Sequence, residues 1–198
     1  RSQSAMTKES PLSVVIVPNG QGLAPLWPSL VQHTKHPLVI TILPSHGNVN
    51  GADSAHDVAC PEGWRISASD LSAVRFLNQL LQSTHDDPLI LLSSDLILTP
   101  GWLKCLLAAL KHNSHIAVVG PTSNGGSAPQ RIKAEYKGTG KSLRQFALRR
   151  AHRYAGQFAT GNSPAPFCLL FSRTACRAIG PLREDLDLAA SLLDYFAR

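Results

Sequence analysis

Pro88–Gln130, PLILLSSDLILTPGWLKCLLAALKHNSHIAVVGPTSNGGSAPQ, carries the densest pattern in the chain. An apolar run, Leu89 to Leu92, halts at Ser93-Ser94-Asp95, and Leu96 to Leu98 then lead to Thr99-Pro100. Leu103, Leu106, Leu107 and Leu110 recur at helical spacing, with Thr99 as expected N-cap, Pro100 at the first helical position and Asn113 as a stop. Ile116 to Val119 is a second apolar run. The order is strand, acidic turn, helix, strand. In open α/β sheets ligands bind beyond the carboxyl ends of the strands, so Asp95 stands where chemistry is usually found.

Working outward, Leu12 to Val17 and Pro37 to Leu43 are continuous β-branched runs, as expected of strands covered on both faces. A short helix is expected between Leu23 and Gln32, a brief strand at Trp64 to Ile66, and a helix from Asp70 to about Ser83 capped by Ser67 or Ser69. Pro166 to Phe171 reads as a further strand and Arg173 to Ile179 as a short helix. Strands and helices alternate throughout. The expected fold class is therefore α/β, a three-layer sandwich with a mainly parallel central sheet. Residues 1–10 are expected to be a disordered N-terminal segment and 11–198 one domain, taken to be a fragment of a longer chain.

Hydrophobic content of 43% and charged content of 16% suit a folded globular protein, and a net charge of +6 favours an anionic partner. Eight of the Lys and Arg residues, against one acid, Glu135, fall between Arg131 and Arg153, where Leu143, Phe146, Ala147 and Tyr154 can share a helical face. A solvated helix face is the plain account of that segment, and contact with an anionic ligand, an anionic acceptor or a membrane surface is the alternative. No nucleic-acid-reading module is recognisable there. Gly138 to Ser142, GTGKS, lacks the earlier glycine and the preceding buried strand of a phosphate-binding loop.

The four cysteines form no CxxC pair, and Cys105 and Cys168 fall within apolar patterns that predict buried thiols. This cysteine usage leads to the expectation of a reducing, cytoplasmic location, with a membrane-peripheral one as the variant, and no apolar run approaches the roughly 18 residues of a membrane span. The eight histidines are scattered without a partner set. Trp27, Trp64 and Trp102 are expected in packing, with Trp64 the one candidate for stacking on a base or sugar.

Several of these stretches, in this order, resemble the inverting nucleotide-sugar glycosyltransferases of the GT-A fold, family 2. They are the opening strand with Pro18-Asn19-Gly20, the SSD turn, TPGWL at 99–103, VGPTSNGGSAPQ at 119–130, FCLLFSRTACRAIGPL at 167–182 and DYFAR at 194–198. The resemblance implies a hexosyltransferase that takes a nucleotide-diphosphate sugar and passes the sugar to a hydroxyl on a glycan, lipid-linked or protein acceptor. It further implies a divalent metal, Mg²⁺ or Mn²⁺, at Asp95, with Pro18, Asn19, Gly20, Asn78, Ser93 and Ser94 around the donor. A metal-bound diphosphate suits the chemistry, because a divalent cation offsets the charge that develops on the leaving group. The alternative for Asp95 is an aspartate that turns the chain.

This chain also departs from the family pattern. Ser93 stands at the first acidic position of the turn, Pro44 replaces the aspartate after the second strand with Asp53 as the nearest substitute, and Ser191 and Leu192 stand where an acid pair with the general base is expected. Glu184 and Asp194 are the remaining candidates for the base, with solvated turn and helical ion pair as their respective alternatives. A catalytically degenerate domain with a binding or structural role, or one paired with a partner domain, is the second reading.

Overall fold

Leu12–Val17 forms β1 and Leu38–Ile42 forms β2, followed by β3 (Arg65–Ala68), β4 (Leu89–Ser93), β5 (Val118–Val119) and β6 (Cys168–Phe171). Between and after them lie helices α1 (Leu26–His33), α2 (Ala73–Leu81), α3 (Trp102–His112), α4 (Lys141–Arg153), α5 (Arg173–Ile179) and α6 (Leu188–Ala197). The computed structural model describes residues 10–20, 22–44, 59–125, 130–161 and 163–198. The expected disorder of residues 1–9 and the expected substitute Asp53 lie outside the described residues.

The six strands make one sheet in the order β3-β2-β1-β4-β6-β5. β1 pairs in parallel with β2 and β4, and β2 with β3, whereas β6 runs antiparallel to both β4 and β5. Alternate residues of each central strand serve opposite layers. Val14, Ile16, Ile90 and Leu92 pack with Leu26 and Leu30 of α1 and with Trp102, Leu103 and Leu106 of α3. Val15, Leu89 and Leu91 pack with Val74, Leu77 and Leu81 of α2 and with Cys176, Leu192 and Tyr195 of α5 and α6. This double cover explains why β1 and β4 are apolar on both faces. The three-layer, mainly parallel α/β architecture expected from the sequence is the one found.

The direction in which the connections cross the sheet reverses at β1. From β1 the chain crosses outward to β2 with α1 on one face, and from β3 it returns over α2, on the opposite face, to β4 on the other side of β1. Crossovers running in opposite directions place their helices on opposite faces, and in such sheets the ligand crevice is expected at this switch point, beside the carboxyl ends of β1 and β4.

Several boundaries differ from expectation for local reasons. α2 begins at Ala73 rather than Asp70, because Ser69 Oγ accepts the Leu71 N–H at 3.2 Å in a turn that precedes the helix. α3 begins at Trp102 after Gly101, whose φ of 81° is the left-handed conformation glycine adopts without strain, so Thr99 and Pro100 stand outside the helix. β5 is shorter than the run 116–119, since Asn113 turns the chain: its carbonyl accepts from Ile116 N at 3.1 Å and its Oδ1 from His115 N at 2.9 Å. Cys105 is exposed, not buried, because it sits about 100° around the helix from the centre of the arc of Trp102, Leu103, Leu106 and Ala109. Cys168 is buried as expected.

Candidate functional site

The carboxyl ends of β1 and β4 are laced together by side chains. Val17 and Ser93 are register partners, and the ladder continues one step further through Ser94 N donating to Val17 O at 3.1 Å. Ser94 is fully buried, and its Oγ accepts the backbone N–H of Asn19 at 2.9 Å. That bond fixes where Asn19 leaves the sheet, and Gly20, at φ 69°, then turns the chain away. From this position the Asn19 amide donates to Asp95 Oδ2 at 3.0 Å, and Ser93 Oγ donates to Asp95 Oδ1 at 2.5 Å.

Asp95 is exposed, with both carboxylate oxygens oriented by a neutral donor. An acid at position 93 would repel it at this range; the serine instead supplies a proton donor to an ionised acceptor, which makes a short, strong bond. Of the residues assigned around the donor by resemblance, Asn19, Ser93 and Ser94 thus form one network with Asp95, and Pro18 and Gly20 frame its turn.

Asn78 does not join that network. It is buried on α2, where its Nδ2 donates to Leu182 O at 3.0 Å and to Glu184 Oε1 at 3.2 Å while its Oδ1 accepts from Leu182 N at 2.8 Å. Its amide anchors the loop before α6. Glu184 Oε2 also meets Arg75 Nε at 3.3 Å. The other acids of that loop are engaged locally: Asp185 pairs with Arg183, whose guanidinium holds the carboxyl below its ordinary value, and Asp187 caps α6 by accepting from Ala190 N at 2.8 Å. Asp194 forms the helical ion pair with Arg198 at 3.2 Å. Ser191 and Leu192 are fully buried, with Ser191 Oγ donating to Arg183 O at 2.9 Å.

Trp64 is excluded from stacking on a ligand, because it is buried and packs its ring edge-on against Trp27 with centroids 6.1 Å apart. Among the described residues no group of three or more His, Cys, Asp and Glu side chains could hold a metal. At the carboxyl ends of β1 and β4 the described residues offer a cation the Asp95 carboxylate, whose oxygens retain a lone pair each beyond the bonds from Asn19 and Ser93. This fits a cation shared with a phosphate ligand, in the manner of Mg²⁺ held by one carboxylate plus phosphates, and does not fit a cage made of protein alone.

A cleft of about 490 Å³ lies between α1, residues 97–100 and the start of α4, with His33, Thr99, Lys141 and Arg144 among its walls. It has no local signature, since it joins segments more than a hundred residues apart. Burial pushes the His33 imidazole below its ordinary value, and the nearby Arg144 guanidinium adds to the shift. No described helix is long and apolar enough to cross a membrane.

No family model matches the chain, and no curated protein matches it. Among solved structures it is similar to a mannosyltransferase of Pyrobaculum calidifontis in complex with GDP-mannose and Mn²⁺. The match covers 92% of this chain and 50% of that one, at 16% sequence identity and a TM-score of 0.45. The chain thus spans half the length of that protein. A likeness at this level says nothing about ligand or reaction.

Proposed function

We propose that the chain is a glycosyltransferase-type domain that binds a nucleoside-diphosphate sugar across the β1–β4 crevice and transfers the sugar, with inversion, to an acceptor hydroxyl on a glycan, lipid-linked molecule or protein. The observation that carries this is the Asn19–Asp95 bond, which sets an exposed, oriented carboxylate at the point where strand order reverses. A carboxylate and a diphosphate repel each other unless a cation lies between them. Asp95 is therefore the residue to hold a divalent Mg²⁺ or Mn²⁺, which when bound offsets the charge gathering on the leaving diphosphate.

In the transfer, the acceptor oxygen forms its bond to the anomeric carbon from the side opposite the diphosphate. The carbon–oxygen bond to the diphosphate breaks, its electron pair leaves with the nucleoside diphosphate, and the hydroxyl proton passes to a base. Glu184 is the carboxylate assigned to that role. It stays partly exposed while Asn78 and Arg75 fix its position. Asp194, paired with Arg198 as Glu184 is with Arg75 but with the less exposed side chain of the two, is the other candidate.

A second reading, a binding domain of the same fold without turnover, is favoured by one observation: Ser191 and Leu192, which replace the expected acid pair, are both sealed in the core. Calorimetry with UDP, GDP and dTDP sugars, with and without Mn²⁺, followed by an assay for nucleoside-diphosphate release in the presence of acceptor glycans, separates the two. Release that is lost in Glu184→Gln supports the transferase. Binding without release supports the second reading, and absence of binding to every nucleotide overturns both.

A further inference from the structure

The positive charge of this protein is concentrated in one place. Residues 131–153 hold eight Lys and Arg against Glu135 alone, a net of +7, so the remaining 175 residues together carry −1 against the whole-chain value of +6. Among the described residues no ion pair ties any of these eight cations to an acid. A solvated structural helix normally mixes signs along its exposed side, whereas this segment does not.

α4 is the centre of that segment, and none of its residues is fully buried. Ser142, Leu143, Phe146, Ala147 and Arg150 form its half-buried side, with Phe146 against Tyr136 at 5.2 Å between centroids. The opposite side presents Lys141, Arg144 and Arg149 around an exposed Leu148, and Arg153 is exposed at the last turn on the side of Phe146. Of six exposed large hydrophobic residues among those described, three, Leu148, Tyr154 and Phe158, fall within this short stretch. Arg150 and Arg153 lie over the Tyr154 ring at 4.5 and 5.7 Å.

We infer that the exposed surface of α4 and of the residues that follow it, through Tyr154 and Phe158, is a docking surface for an anionic lipid bilayer. Cations interleaved with exposed apolar and aromatic side chains suit the headgroup region, where the charges meet phosphates and the apolar groups enter the acyl boundary. Nucleic acid would reward the charge but leave Leu148 and Phe158 unused. The surface stands on its own observations and does not depend on what the β1–β4 crevice binds.

The test is co-sedimentation of the chain with vesicles of phosphatidylglycerol and phosphatidylcholine in equal parts, with phosphatidylcholine vesicles and duplex RNA as the other arms. The expected result is binding to the anionic vesicles that weakens as salt rises, with little binding to the neutral ones. Each basic residue near such a surface contributes enough that Arg144→Gln/Arg149→Gln/Arg153→Gln lowers partitioning on the order of 100-fold. Leu148→Ser/Phe158→Ser is expected to weaken it further at high salt, where the apolar contribution dominates. Equal binding to neutral vesicles, retention by the triple arginine variant, or binding to RNA without binding to vesicles overturns the inference. Should the triple variant lose its cooperative melt, the wild-type salt titration decides: binding that does not fall with salt overturns it.

Discussion

The side-chain amide of Asn19 donates to Asp95 Oδ2 at 3.0 Å, joining two residues 76 positions apart across the carboxyl ends of adjacent parallel strands. Neither residue is buried, so the contact adds little to folding; its effect is to aim a carboxylate.

Asn19→Ala is therefore expected to leave the melting transition nearly unchanged while weakening nucleotide binding about tenfold, the order expected for one hydrogen bond to a charged group. Calorimetry beside a thermal melt checks it. A large loss of stability with unchanged affinity would make Asn19 a structural residue instead.

Asn78 has the opposite character. Asn78→Ala leaves both the N–H and the carbonyl of Leu182 without their buried partner, and is expected to cost about 2–4 kcal/mol in urea denaturation. A variant as stable as the wild type would contradict its role as the anchor of the loop before α6.

These two asparagines show what was legible in the chain. The apolar runs of β1, β2 and β4 and the leucine spacing of α3 announced the layers, because burial on two faces or along one stripe leaves a local pattern. Asp95 was visible because a lone acid ended a buried strand. The anchoring by Asn78 was not, since its partners are backbone atoms 104 residues away and backbone atoms have no sequence signature. The exposed thiol of Cys105 was missed through adjacency to Leu103 and Leu106, although a helix turns by about 100° per residue and separates such neighbours. Trp64 is found in packing, as expected of all three tryptophans, and it stood as the one candidate for stacking because a tryptophan in a loop-flanked strand gives no hint of the Trp27 ring beside it.

His33 offers a test of the cleft beside α4. Its folded pKa lies below the ordinary 6.5, so the unfolded chain takes up a proton more readily than the folded one. The associated stability is present above about pH 6.5 and is lost as pH falls below that value through the folded pKa. NMR titration is expected to show a depressed His33 pKa that rises in Arg144→Gln without reaching the ordinary value, since burial is the larger cause. A pKa indifferent to Arg144 would separate α1 from α4.

The cysteines divide by burial. The Cys168 thiol is pushed up to about 12, Cys176 is raised by burial as well, and Cys60 and Cys105 are exposed. A thiol reagent at neutral pH is expected to modify two cysteines in the native protein and all four after unfolding. Rapid native modification of all four would contradict the burial of β6 within the sheet and the packing of α5 against it.

The most direct test of the central claim is calorimetric titration of the wild type and Asp95→Ala with nucleoside-diphosphate sugars in the presence and absence of Mn²⁺. The account predicts binding that Mn²⁺ strengthens in the wild type, and loss of that strengthening in Asp95→Ala with the melting transition unchanged. Equal affinity of the two proteins for the nucleotide, with or without Mn²⁺, would contradict it.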